Sequence, residues 1–231
     1  MKLLAIDTAQ AACSAAVFVD GEPRAQRYEE MRRGQSERLI PMIDELLQAA
    51  GLTAAELQAV GVTVGPGAFT GIRIGLAAAR GFGVALSIPV IGITTTAAVA
   101  AAHPAPSSAP LAVALDTKRD DIYLEIFDPD ATGPQALGLD EAAAQCRDVA
   151  AGREMQLLGD GAQRLAPALA AAGVTSRAVG GSGMAEAVTV GRLALARLAA
   201  EPAAAFERPP APLYLRPPDV SLPKPGRGAR G

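Results

Sequence analysis

A chain of 231 residues, half of them hydrophobic, has enough apolar material for a sizeable core, built as one large domain or as two lobes of about 100 residues each. A formal charge of −3 and a pI near 5.3 exclude a global electrostatic footprint for nucleic acid, so any RNA contact must be local or shared with another chain. Two distant cysteines without CxxC spacing, Cys13 and Cys146, argue against a disulfide framework or a zinc site and for a reducing cytoplasm.

Asp7 cuts the first apolar run too early for a secretory segment, and Arg80 and Pro89 interrupt the Ala-rich stretch from Leu76 to Ala102. The expectation is a soluble chain with no unbroken stretch of membrane-spanning length. Apolar runs at Leu3 to Asp7 and Ser14 to Asp20 read as strands, the second ending in an Asp20-Gly21 turn, and Arg24 to Glu30 as a third. Ser36 caps a helical segment with Leu39, Ile43, Leu46, Leu47 and Ala50 at helical spacing, stopped by Gly51 and expected to bend at Pro41. A strand at Val60 to Val64, a helix at Thr70 to Leu86, a strand at Val90 to Ile93 and a helix at Thr94 to Ala102 follow.

The segment from Pro104 to Pro110 reads as a linker. Beyond it, LAVALDTKRDDIYLEIFD (Leu111 to Asp128) echoes Leu3 to Asp20, with Asp7-Thr8 matched by Asp116-Thr117 and Asp20 by Asp128. That echo on either side of a linker points to a duplicated α/β domain: a first lobe over 1–103, a second over 111–216 and a disordered tail over 217–231. The second lobe is expected to carry helices at Asp140 to Ala150, Gln163 to Ala172 and Ala185 to Ala200, and a strand at Gln156 to Leu158.

Strand-end aspartates facing a cleft between two lobes suit a magnesium nucleotide, with Asp7, Thr8, Asp116, Gly159 and Gly161 as the candidate residues. The plain alternative is that Asp7 and Asp116 bond their own turns. The loop VGPGAFTGIRIG is neither a Walker motif nor a dinucleotide fingerprint. Its Gly65, Pro66, Gly67 and Gly71 are expected to shape a turn and open a helix, whose Gly71, Gly75, Ala79 and Gly83 form a stripe that a neighbour can approach closely. The one histidine, His103, stands at the linker without a motif, and no cluster of metal ligands is visible. These residues argue against an autonomous hydrolase.

The loop GPGAFTGIRIG, with IPVIGITT, LAIDTA, CSAAVFVDG, SERLIPMIDELL and PLYLR, resembles the TsaB (YeaZ) family. The resemblance implies a duplicated actin-like (ASKHA, RNase H-like) fold, with two lobes that each carry a mixed sheet flanked by helices. It implies a cytoplasmic, non-catalytic subunit that joins the paralogue TsaD as a heterodimer, or itself as a homodimer. With the ATPase TsaE, the complex transfers threonylcarbamoyl from its adenylate to adenosine 37 of tRNA. The chain would reach tRNA through the complex and have no cofactor of its own, with ATP or ADP at the heterodimer interface. In TsaD an HxxxH pair binds metal; the corresponding positions here are Thr95 and Val99, which cannot ligate one in that geometry. The dimer interface is expected on the two helices spanning 36–50 and 70–86, through Leu39, Ile43, Leu46, Phe69, Arg73, Gly75 and Ala79, although both helices could equally belong to the lobe's own core. Gly75→Leu is then expected to weaken the heterodimer without unfolding the chain. The basic tail bearing Lys224, Arg227 and Arg230 is a further candidate for tRNA phosphates, and an actin-like ATPase acting on its own is the alternative reading.

Overall fold

The computed structural model describes residues 1–103 and 108–216. The expected tail and most of the expected linker lie outside the described residues.

The first half runs β1 (Lys2–Asp7), β2 (Ala12–Val19), β3 (Glu22–Glu30), α1 (Gln35–Ala49), β4 (Ala59–Gly65), α2 (Phe69–Leu86), β5 (Val90–Thr94) and α3 (Thr95–Ala101). The second runs β6 (Leu111–Asp116), β7 (Asp121–Asp128), β8 (Asp130–Ala131), β9 (Gln135–Gly138), α4 (Leu139–Ala150), β10 (Met155–Leu158), α5 (Ala162–Ala171), β11 (Ser176–Ala178) and α6 (Ala187–Ala200). Asp20 and Gly21, both at positive φ, close the β2–β3 hairpin between the paired residues Val19 and Glu22. The α1 helix continues through Pro41 without a break.

The two sheets have one topology. In the first the order is β3-β2-β1-β4-β5, with β1 antiparallel to β2 and parallel to β4. In the second, β9-β7-β6-β10-β11 repeats that order and those directions, with β8 as an addition on β7. Parallel neighbours β4 and β5 are joined through α2, as a crossover requires.

Packing is layered. One face of the first sheet carries α1 and α2, through Leu39, Met42, Ile43 and Leu46 on α1 and Ile72, Leu76 and Ala79 on α2. The other face shares a core with α3, α6 and the inner face of the second sheet, where Leu3, Phe18 and Ile91 meet Val113, Leu115 and Val190. The outer face of the second sheet is closed by α4 and α5.

The expected second lobe does not stay on its own sheet. The α6 helix lies across β1, β2, β4 and β5, because two glycines let backbone and ring approach. A Cβ on Gly61 would stand 2.8 Å from that of Ala194, and one on Gly191 would overlap the Phe18 ring. The strap after α6 also returns to the first half, where the Leu213 amide donates to the Val64 carbonyl (2.7 Å) and Arg80 donates to the Pro210 carbonyl (2.6 Å).

By length and mean composition alone α2 is long and apolar enough to cross a bilayer, although Arg73 and Arg80 interrupt its apolar run. Here it packs on the first sheet instead, burying Gly71, Ile72, Gly75, Leu76 and Ala79.

Candidate functional site

The β1–β2 turn and the β6–β7 turn face one another across a cavity of about 620 Å³, lined by Ala9 to Ala11 on one side and Leu115 to Lys118 with Asp160 on the other. Duplication therefore brings the two strand-end turns together, but it does not leave their carboxylates available.

Asp7 is fully buried. Its Oδ1 accepts the Thr63 hydroxyl (2.7 Å) and the Ala9 amide (3.2 Å), while Oδ2 is enclosed without a partner. Burial pushes its carboxyl up to about 6, against the opposing pull of those two bonds. Thr8 is equally buried and donates to the Gly71 carbonyl (2.7 Å). The glycine loop is what covers them. A Cβ on Gly67 would overlap the Ala9 carbonyl, one on Gly71 the Thr8 carbonyl, and one on Gly75 would stand 2.7 Å from the Thr8 hydroxyl. The Ala68 amide donates to the Ala9 carbonyl (2.7 Å), while Gly65, at positive φ, leaves room for the Leu213 carbonyl of the strap.

Across the cavity Asp116 is neutralised from within. Lys118 contacts it through its ammonium (2.7 Å) and its backbone amide (2.9 Å), and Arg164 donates to the same carboxylate. Burial would raise the Asp116 carboxyl, but these donors outweigh it and hold it at about 2. The Asp160 carboxylate accepts the Asp116 amide (2.9 Å), which puts negative charge beside the space a phosphate would need. A Cβ on Gly159 would overlap the Ala114 carbonyl, and the Gly161 amide already donates to that carbonyl (2.9 Å). Of the expected magnesium-nucleotide set, Asp7 and Thr8 are buried under the glycine loop, Asp116 is paired with Lys118 and Arg164, and Gly159 and Gly161 lie against the Ala114 carbonyl.

The interface residues divide. Leu39, Ile43, Leu46, Gly75 and Ala79 are buried in the chain's own core and cannot meet a partner, since their spacing marks the inner faces of α1 and α2. Gly75→Leu would therefore collide with Thr8 and Val62 and damage the fold itself. Phe69 and Arg73 are exposed, on the stripe Phe69, Arg73, Ala77, Gly81 and Ala85. Two residues along a helix is about 200°, so this stripe lies opposite the buried Gly71, Gly75, Ala79 one. Val84, 78 % exposed, extends the outer face, and Ile40 on the adjoining α1 is also uncovered.

The remaining chemistry-bearing residues are quiet. Burial pushes the Cys13 thiol up to about 11 and the Cys146 thiol up to about 12, far from a thiolate nucleophile. His103 contacts the Gln156 side chain (3.1 Å). Thr95 and Val99 are buried in α3, and no group of three potential metal ligands occurs among the described residues. Sequence reasoning missed Thr63, Arg164 and Tyr214. Lys118 was visible in the DTKRD turn beside Asp116, but its position alone does not show that it neutralises that carboxylate.

A stability measurement tests the sealed carboxyl. Asp7 favours its neutral form when folded, so folding takes up protons between the unfolded value of 3.8 and the folded value of about 6. Stability is then highest below that window, falls as pH rises through it, and stays low above it. Asp7→Asn keeps an acceptor for Thr63 and Ala9 without the charge. It is expected to raise the melting temperature at pH 8 and flatten the profile; an unchanged or lowered value at pH 8 would contradict a buried, uncompensated carboxylate.

Two sheets of one topology, enclosing a cleft between matched turns, define a duplicated actin-like fold. A sugar kinase of that class, the ROK hexokinase of Thermus thermophilus, superposes with a TM-score of 0.52 at 14 % identity over 86 % of this chain and all of that one, a likeness of fold alone. The family described as TsaD, tRNA N6-adenosine threonylcarbamoyltransferase, matches residues 29–151. The chain belongs to that family, on its TsaB (YeaZ) branch. The tRNA threonylcarbamoyladenosine biosynthesis protein TsaB of Escherichia coli K12 is 33 % identical over 134 residues, 58 % of each chain, so the match spans less than two thirds of that relative. The crystal structure of a Pseudomonas aeruginosa protein described as similar to peptidase YeaZ superposes with a TM-score of 0.76 at 27 % identity, covering 93 % of this chain and 99 % of that one.

Proposed function

We propose that this chain is a cytoplasmic, non-catalytic subunit of the complex that forms threonylcarbamoyladenosine at position 37 of tRNA. It scaffolds and activates TsaD, together with the ATPase TsaE, for transfer of threonylcarbamoyl from its adenylate to adenosine 37. Family membership supports the reaction, and the observation that carries the subunit role is the uncovered outer face of α2. An 18-residue helix, about 27 Å long, presents Ala77, Gly81, Val84 and Ala85 to solvent. Small residues along that line, an apolar strip of about 12 Å, let a partner helix approach its backbone closely, which supports a docking surface there.

The same face would serve a heterodimer with TsaD or a homodimer, the two competing for one surface. A nucleotide, ATP or ADP, would then belong to the heterodimer interface and not to the cleft of this chain, whose turns are closed by their own hydrogen bonds. Neither Cys13 nor Cys146 is poised as a nucleophile, since both thiols are buried and pushed toward the protonated form.

Calorimetry of the isolated chain with magnesium-ATP is expected to show no saturable heat, and light scattering with TsaD a one-to-one complex. Stoichiometric magnesium-ATP binding by the chain alone, with no complex formed, would instead favour an actin-like ATPase acting by itself.

A further inference from the structure

A second cavity, of about 540 Å³, opens where the first turn of α2, the β6–β7 turn and the strap meet. Its lining holds three arginines, Arg73, Arg119 and Arg216, and no acidic residue. The chain is poor in aromatic groups, with five Phe, three Tyr and no Trp, yet Phe69, Tyr123 and Tyr214 all line this one cavity.

Phe69 and Tyr214 stack with centroids 5.1 Å apart and planes 27° apart, and both remain over 40 % exposed. Arg73 lies with its guanidinium 3.7 Å from the Phe69 centroid and donates from Nε to the Tyr214 hydroxyl (2.8 Å). It has no carboxylate partner among the described residues, so its charge is held in place but not compensated. Arg216 stands 5.7 Å from the Tyr123 ring and pairs with Asp121. The strap that delivers Tyr214 is anchored on β4 through the Leu213 amide.

Exposed rings beside a fixed, uncompensated guanidinium suit a ligand with an aromatic face and an adjacent anion. We infer that this cavity takes an unpaired nucleotide of single-stranded RNA, its base stacked on the Phe69–Tyr214 pair and its phosphate held by Arg73. A base gives the π-face that such rings bind without regard to sequence, and arginine supplies both cation–π contact and phosphate pairing. In a duplex the base faces are hidden within the stack, so paired RNA gains only the charge contacts. The choice of RNA over another polyanion rests on the tRNA-modification reading; the stacking platform and the unpaired charge do not.

The test is fluorescence anisotropy on the full chain with two labelled RNAs, a hairpin carrying a seven-base single-stranded loop of about anticodon-loop size and a blunt duplex of the same composition. The hairpin is expected to bind more tightly than the duplex. Tyr214→Ala and Phe69→Ala should each weaken it about tenfold, and Arg73→Gln should reduce the slope of log affinity against log salt by about one. Circular dichroism checks folding, and Arg73→Gln, at an exposed position, keeps the test decisive where a ring variant loses structure. Equal binding of hairpin and duplex, no binding, or binding indifferent to these variants would overturn the inference. So would variants that abolish association with TsaD while leaving RNA binding unchanged, because the patch would then be a protein interface. A failure here with the chain still required for threonylcarbamoyl transfer removes this inference alone; loss of that requirement removes the functional reading whatever the RNA titration gives.

Discussion

Val84→Arg is expected to abolish association with TsaD while leaving the chain folded. Val84 is 78 % exposed on the outer α2 face near the helix C-terminus, so arginine there costs the isolated chain almost nothing. At a closed helix–helix contact the same guanidinium must be buried without a partner or hold the helices apart. Either outcome costs several kcal/mol, and an affinity loss of at least about 100-fold should follow. Val84→Ala should lose only about 1 kcal/mol. Ala171→Arg, on the α5 helix of the other sheet, should leave affinity unchanged. Calorimetric titration of TsaD with each variant, alongside its melting temperature, separates the cases. Undiminished affinity for Val84→Arg would show that the partner sits elsewhere.

Gly71→Ala is expected to be severely damaging for a single added methyl. The added carbon would overlap the Thr8 carbonyl, a backbone atom fixed by β1 and by the Thr8 hydroxyl bond to Gly71, so it has no rotamer to move into. Relief requires separating α2 from the β1–β2 turn, which also breaks the bond from the Ala68 amide to the Ala9 carbonyl. A loss of about 3 to 5 kcal/mol follows from overpacking at a rigid contact, read as a lower denaturant midpoint at unchanged slope. Gly81→Ala, ten residues along the same helix with no atom within 4 Å of the added carbon, should instead stabilise by roughly 0.5 to 1 kcal/mol. If Gly71→Ala is as benign as Gly81→Ala, the loop is not seated on the turn as described.

Much of the fold is legible in the sequence because its elements have strong local signals. The β1–β2 hairpin and its echo at β6–β7 alternate or run apolar between turn residues, and α2 is a long, mostly apolar run opened by a glycine loop. The short edge strands are not. QALG at β9 and SRA at β11 carry no periodicity, and they become strands only by pairing with β7 and β10. Likewise α6 reads as part of the second half, and only the small residues Gly61 and Gly191 meeting Ala194 and Phe18 place it on the first sheet.

The site was less legible, for a reason of distance along the chain. That Asp7 ends a strand is local information; that Thr63, 56 residues later, and the glycine loop seal it is not. Asp116 looks like a free strand-end carboxylate until Arg164 arrives from 48 residues away. The α2 stripes show the same limit. Gly71, Gly75 and Ala79 are as small as Ala77, Gly81 and Ala85, and composition cannot tell which row faces inward. The β1–β2 turn decides, by lying against the first row and leaving the second exposed.

The most direct test of the subunit role is threonylcarbamoyl transfer to tRNA by purified TsaD and TsaE, supplied with the adenylate precursors, with and without this chain. The account predicts transfer only when the wild-type chain is added, and none when Val84→Arg replaces it. Equal transfer without the chain, using matched partners, would contradict it.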